Sequence, residues 1–195
     1  MSLPMPIRAG FAAAIITALI TVLAFAVRAD VAPAAPAAPA KKAASCPGAD
    51  SWVSTARARK ALLCLVNAER AKRGLPAMRY SSKLSKVARV HAQDLVKYRF
   101  IGHTSPAHGT LLKRVKGSGW AAGRSRWTYG EIMGDGLNGG ATPRRIVRAW
   151  MNRPIHSRAI LHPRFTSMGV GAVKGRPRGR AAKSRTRTYV MTFAG

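Results

Sequence analysis

The sequence predicts an α+β domain in which helices pack on a small antiparallel sheet. Apolar residues recur at helical spacing through the first half of the chain, and short β-prone runs dominate its end. Helices come first and strands last, an order that suits helices laid against an antiparallel sheet better than alternating βα units. With 195 residues there is room for one ordinary domain and a short appendage.

The first helix is read from Leu62, Leu65, Val66 and Glu69, with Gly74 as a natural stop. A second, from about Ser82 to Tyr98, carries the stripe Leu84, Val87, Ala88, His91 and Leu95. A turn near Gly102–Gly109 leads to a short helix over about Thr110–Lys116. Trp127–Gly134 is β-prone and gives way to a loop at Asp135–Gly140. Thr142-Pro143 then combines a hydroxyl N-cap with proline at the first helical position. Ile146, Val147, Trp150 and Met151 give this helix a buried face, and Pro154 stops it. Ser167–Val173 and Thr188–Phe193 are the closing strands. The Lys174–Arg187 loop between them holds seven Lys or Arg in fourteen residues.

Upstream, Arg8 precedes an uncharged apolar run from Ala9 to Val27, and Val27-Arg28-Ala29 offers a peptidase site. Residues 1–29 are therefore read as a signal peptide, residues 30–50 as an Ala/Pro-rich linker and residues 51–195 as the domain. An uncleaved anchor is the competing reading of the first segment. Either way the protein is expected to be exported, to the extracellular space or a periplasm.

Charge is lopsided, with 34 Lys and Arg against 6 Asp and Glu. Losing Arg8 and Arg28 with the signal leaves 32 basic and 6 acidic residues, a formal +26. Such a surface attracts anionic partners. For an exported protein these are wall polymers or acidic lipid surfaces. Nucleic acid is disfavoured, because the basic loop lacks the interleaved aromatics that stack bases. Cys46 and Cys64 are the only two cysteines. They can pair in an oxidising compartment, a bridge worth about 3 kcal/mol, or Cys64 can serve as a small core residue. The polar surroundings of Cys46 favour the pair.

Acidic residues are scarce enough to weigh singly. Asp30 and Asp50 flank or lie in the leader, Glu69 is followed by Arg70, Lys72 and Arg73 as candidate salt-bridge partners, Asp94 falls on the polar side of its helix, and Asp135 sits in a glycine-flanked turn. Glu131 stands out as a carboxylate within a β-prone segment. Among the histidines, His91 reads as a core residue, while His108 and His162 read as polar surface. His103 and His156 each follow a helix. Ser105 and Ser157 lack any nucleophile-elbow context.

Six segments in order alter the weight of these residues. Cys64-Leu-Val-Asn-Ala-Glu-Arg, Leu84 to Asp94, Phe100-Ile-Gly-His-Thr-Ser-Pro, Tyr129-Gly-Glu-Ile, Trp150-Met-Asn-Arg-Pro-Ile-His and Leu161 to Gly171 resemble the bacterial branch of the CAP superfamily of SCP-like domains. The resemblance covers about Ala56 to Gly195. It implies an α-β-α sandwich with a cleft where two His and two acids can hold a divalent metal. The matching positions are His103, Glu131 and His156. Ile132 stands for the family's Asn, Ser157 for its Arg and Arg153 for a frequent Ser, and the second acid has no counterpart.

Two imidazoles and one carboxylate with an open position match catalytic zinc chemistry, in which a bound water is acidified to a pKa of about 7. Without metal, Glu131 could orient a histidine as general base. The expected function is a secreted binding module with a degenerate metal cleft and a basic surface for anionic envelope ligands. The alternatives are a metal-dependent hydrolase of wall peptide or ester bonds, acting through His103, Glu131 and His156, and a charge-driven adhesive protein.

Overall fold

The computed structural model describes residues 45–178 and 185–195. The expected signal peptide, most of the linker and the centre of the basic loop lie outside them. The packed region reaches back beyond Ser51: Cys46 and Ala49 are buried in the main core, and Cys46 is bonded to Cys64 with their Cα atoms 5.7 Å apart.

Helix α1 spans Thr55–Ala71, its first turn capped by the Ser54 hydroxyl, which accepts from the Arg57 amide. Strand β1 is the two-residue Arg79–Tyr80. Helix α2, Ser82–Lys97, starts on the Ser81 hydroxyl and buries the stripe expected of it, with Asp94 as well. Helix α3 is Leu111–Gly117, capped by Thr110. Strand β2 runs over Tyr129–Leu137, longer than its sequence suggests, because β4 pairs with it at every position. Helix α4, Pro143–Met151, has proline in its first turn, but the Thr142 hydroxyl donates back to the Gly139 carbonyl instead of capping. Pro154 does more than stop α4. It opens α5, Pro154–Ile160, so His156 lies on a helix instead of after one. Strands β3, Ser167–Lys174, and β4, Thr186–Ala194, close the fold.

The sheet order is β1-β3-β4-β2. The three long strands are antiparallel as expected, and β1 adds a short parallel edge. One face packs on α1, α4 and α5 through Leu62, Val66, Trp150, Ile160, Met168 and Met191. The other carries α2 and α3 through Leu84, Leu95, Val115 and Val190. The result is the α-β-α sandwich.

Alternation along β3 decides how close α2 can come. Met168, Val170 and Ala172 fill the α1 side, while Gly169 and Gly171 face α2. A Cβ on Gly169 would lie 2.1 Å from the Leu84 carbonyl carbon, and one on Gly171 2.4 Å from that of Ala88. The Ser85 hydroxyl meets the Val170 amide at 3.0 Å across this contact. Gly169→Ala is therefore expected to cost about 3 kcal/mol by forcing helix and strand apart. Gly117→Ala, with nothing within 4 Å, should be close to neutral. Urea denaturation of both variants checks the pair.

Candidate functional site

Strand β2 is a free edge of the sheet, so side chains near its start can open onto solvent between the helical layers. Glu131 lies there, its carboxylate buried with 0% side-chain exposure. Three neighbours fix it. Arg114 of α3 donates from Nη1 to Oε2 at 3.0 Å and from Nη2 to Oε1 at 3.2 Å. His103 Nδ1 lies 3.1 Å from Oε1, and His91 Nε2 lies 3.5 Å from the same oxygen. Arg114 Nη2 also bonds the His103 carbonyl at 2.6 Å, tying the loop after α2 to the same guanidinium.

A cleft of about 460 Å³ opens beside this cluster. His103, Tyr129, Glu131, His156, Arg158 and Phe165 are among the residues lining it. The structure thus brings the three residues expected from sequence to one cavity. His103 is exposed at 61% of its side chain, and His156 Nδ1 is buried without a hydrogen-bond partner. His156 also lines a second hollow of about 320 Å³ with Leu95, Ile101, Met133, Trp150 and Arg153.

Whether the cluster suits a divalent cation turns on Glu131. Both of its oxygens already face a guanidinium, and a metal ion would have to approach a carboxylate neutralised by an adjacent fixed cation. Among the described residues no three His, Cys, Asp or Glu converge as a metal-holding group. As the side chains stand, this donor set does not fit a divalent ion.

Sequence reasoning missed Arg114, although a signal existed. It lies three residues after Leu111 and beside Val115, on the face of α3 that is buried. A cation on an apolar face calls for a buried anion, and Glu131 is the carboxylate that lacked an explanation. Asp94 also corrects its sequence reading. It is buried at 4% exposure, accepts from Ser105 Oγ at 2.6 Å and pairs with His108 Nδ1 at 2.7 Å, so His108 is held in place by a buried acid. Asp135, expected in a turn, lies on β2 and pairs with Arg176. His91 is the core histidine expected, its Nε2 2.9 Å from the Gly102 carbonyl oxygen. Of the three cations beside Glu69, Lys72 and Arg73 pair with it, while Arg70 is buried and bonds backbone carbonyls.

The sequence profile described as the cysteine-rich secretory protein family, CAP, matches residues 63–193. The chain belongs to the CAP family. YkwD of Bacillus subtilis (strain 168) is 38% identical over 115 residues, 59% of this chain and 42% of that protein. The membrane protein YlbC of the same organism is 25% identical over 114 residues, 57% of this chain and 30% of that protein. The chain therefore spans under half the length of these curated relatives. Among solved structures, an extracellular protein containing an SCP domain from Bacillus anthracis str. Ames superposes with a TM-score of 0.56 at 20% identity, over 73% of this chain and 44% of that one. An outer surface protein of Borrelia burgdorferi does so with a TM-score of 0.58 at 23% identity, over 73% and 95%. At these identities the likeness establishes the CAP fold alone.

Electrostatics in the CAP cleft all push in one direction with pH. Burial would raise the Glu131 carboxyl, but bonds from His103 and Arg114 and the adjacent charges outweigh it and hold the group below its ordinary 4.5. Burial depresses His91, against the pull of Glu131, and the ring is neutral in its pocket. Burial, Arg153 and His103 depress His156. In each case the unfolded chain takes up the proton first, so stability is complete above about pH 6.5 and falls on acidification. The decline begins below 6.5 through the two histidines and continues below 4.5 through Glu131. Glu131→Gln should shrink the lower limb, leaving the part that Asp50 contributes through its bond to Arg144. It should also cost about 3–5 kcal/mol at neutral pH by leaving Arg114 buried without its counter-charge. Denaturation midpoints between pH 3 and 8 (about ten points suffice to define both limbs) test both outcomes.

Proposed function

We propose that this protein is an extracellular CAP-family binding module whose cleft recognises its ligand without metal and without hydrolysis. The observation that carries the reading is the commitment of both Glu131 oxygens to Arg114. A carboxylate so engaged is a weak base and a poor metal ligand, and it serves as a structural anchor for the cleft wall. The cleft still offers recognition: the exposed His103 ring, the buried and unpartnered His156 Nδ1, and the apolar faces of Tyr129 and Phe165. A ligand hydroxyl or amide that bonds His156 would satisfy a group the protein leaves open.

Export is supported by the Cys46–Cys64 bond, since disulfides persist in oxidising compartments. The extracellular and outer-surface descriptions of the two structural neighbours agree with it. The formal +28 of the whole chain favours retention at anionic envelope polymers or acidic lipid, where long-range attraction would concentrate the module.

Calorimetric titration of zinc into the purified protein tests the central claim. The expected result is no stoichiometric binding tighter than about 10 μM. Tighter binding that disappears in both His103→Ala and His156→Ala would overturn the reading in favour of the metal-dependent hydrolase. A second measurement addresses the charge-driven alternative. Retention on anionic vesicles should fall steeply between about 0.05 and 0.5 M salt, as the Debye length shrinks, whereas ligand binding in the cleft should be nearly insensitive to salt.

A further inference from the structure

On the far side of Arg114 from the CAP cleft lies another cavity, of about 360 Å³, between α2 and α3. Lys86, Val87 and Val90 of α2 face Lys113, Arg114 and Gly117 of α3 across it, with Ala107 and His108 at one end and Ser118 at the other. Its floor is apolar: Val87 is buried, and Val90 is half-buried. Among the described residues, every charged group lining it is a cation or a histidine, and no carboxylate lines it.

Two cationic groups of its wall are held in place by the fold. His108 is held by a buried network: its Nδ1 pairs with Asp94, its backbone amide donates to Ser105 Oγ at 2.9 Å, and that hydroxyl donates to Asp94. The pair answers the buried Asp94 carboxylate, and with Nδ1 committed to it, Nε2 is the nitrogen left to meet a ligand. Secondly, Arg114 has a side chain only 4% exposed, and its Nε is buried with no hydrogen-bond partner. Its Nη groups are held by Glu131 and the His103 carbonyl, so the guanidinium is a fixed cation in the cavity wall.

We propose that this cavity is a binding site for a small phosphate monoester with an apolar body. The phosphate would sit among Lys86, Lys113 and His108, with Arg114 as the buried cation behind them, while the apolar part covers Val87, Val90 and Ala107. His108 Nε2 suits a phosphate oxygen in either sense, accepting from P–OH or donating to P–O⁻. Two lysines beside it supply the charge that a dianion needs. The site is separate from the cleft, and its existence does not depend on how the cleft is used.

Phenyl phosphate is a suitable probe, titrated into the ¹⁵N-labelled protein and followed by amide shifts. The expected result is saturable change at Val90, Ala107, His108 and Gly117, with a dissociation constant of roughly 1 mM or tighter. His108→Ala and Lys113→Ala, both at exposed positions, should each weaken binding about tenfold while the amide spectrum stays that of the folded protein. Inorganic phosphate and benzoate should each bind more weakly by about the same factor, the first for lack of an apolar body and the second for lack of a second charge. Unsaturable shifts spread over the basic surface would overturn the proposal. So would phenyl phosphate affinity unchanged in the two variants, or inorganic phosphate bound as tightly as the ester.

Discussion

The bond between Arg114 and Glu131 constrains more of this molecule than any other contact. A guanidinium taken out of water costs several kcal/mol unless its hydrogen bonds and charge are answered, and the described residues bury three of them, Arg70, Arg114 and Arg187. With 6 acidic residues to 34 Lys and Arg in the chain, carboxylates are scarce, and the three are answered in different ways. Arg70 is met by carbonyl oxygens of Pro76, Ile160, His162 and Phe165, which fastens the end of α5 to α1. Arg187 reaches the Val53 carbonyl and lies 4.1 Å over the Trp52 ring. Of the three, Arg114 alone receives a buried carboxylate, and through it the β2 edge, α3 and the loop carrying His103 become one unit.

That distribution explains which parts of the fold could be read in advance. The α2 stripe, the approximate starts of α2 and α3 and the β3–β4 pairing are written in apolar spacing and turn residues, which act locally. Strand β1 is not: Arg79 and Tyr80 have exposed side chains and are held by backbone bonds, Arg79 N–H to Thr166 and Ser81 N–H to Met168. No side-chain pattern records such a pairing. The end of β2 misleads for a different reason. Gly134 closes the β-prone run and Gly136 falls in the expected loop, yet a Cβ at Gly134 would lie 2.8 Å from the Trp150 indole nitrogen and one at Gly136 2.6 Å from the Gly140 carbonyl oxygen. They are glycine because tightly packed neighbours leave no room, while the strand itself continues.

The site divides along the same line. Family resemblance groups His103, Glu131 and His156, and they do line one cavity. What resemblance leaves out is the cation that changes the chemistry of the carboxylate. Asp94 escapes a local reading because it borders the apolar stripe, and only the turn at Ser105–Gly109 folding over that flank buries it. Local periodicity reports which face of a helix meets the sheet and is silent about a loop that later covers another face.

Arg114 therefore has two sides with unequal claims on it. Toward the cleft, its Nη groups bond Glu131 and the His103 carbonyl. Toward α2, it lines a cationic hollow. One buried arginine thus sets the character of both cavities, and the chemistry open to Glu131 depends on where that arginine is held.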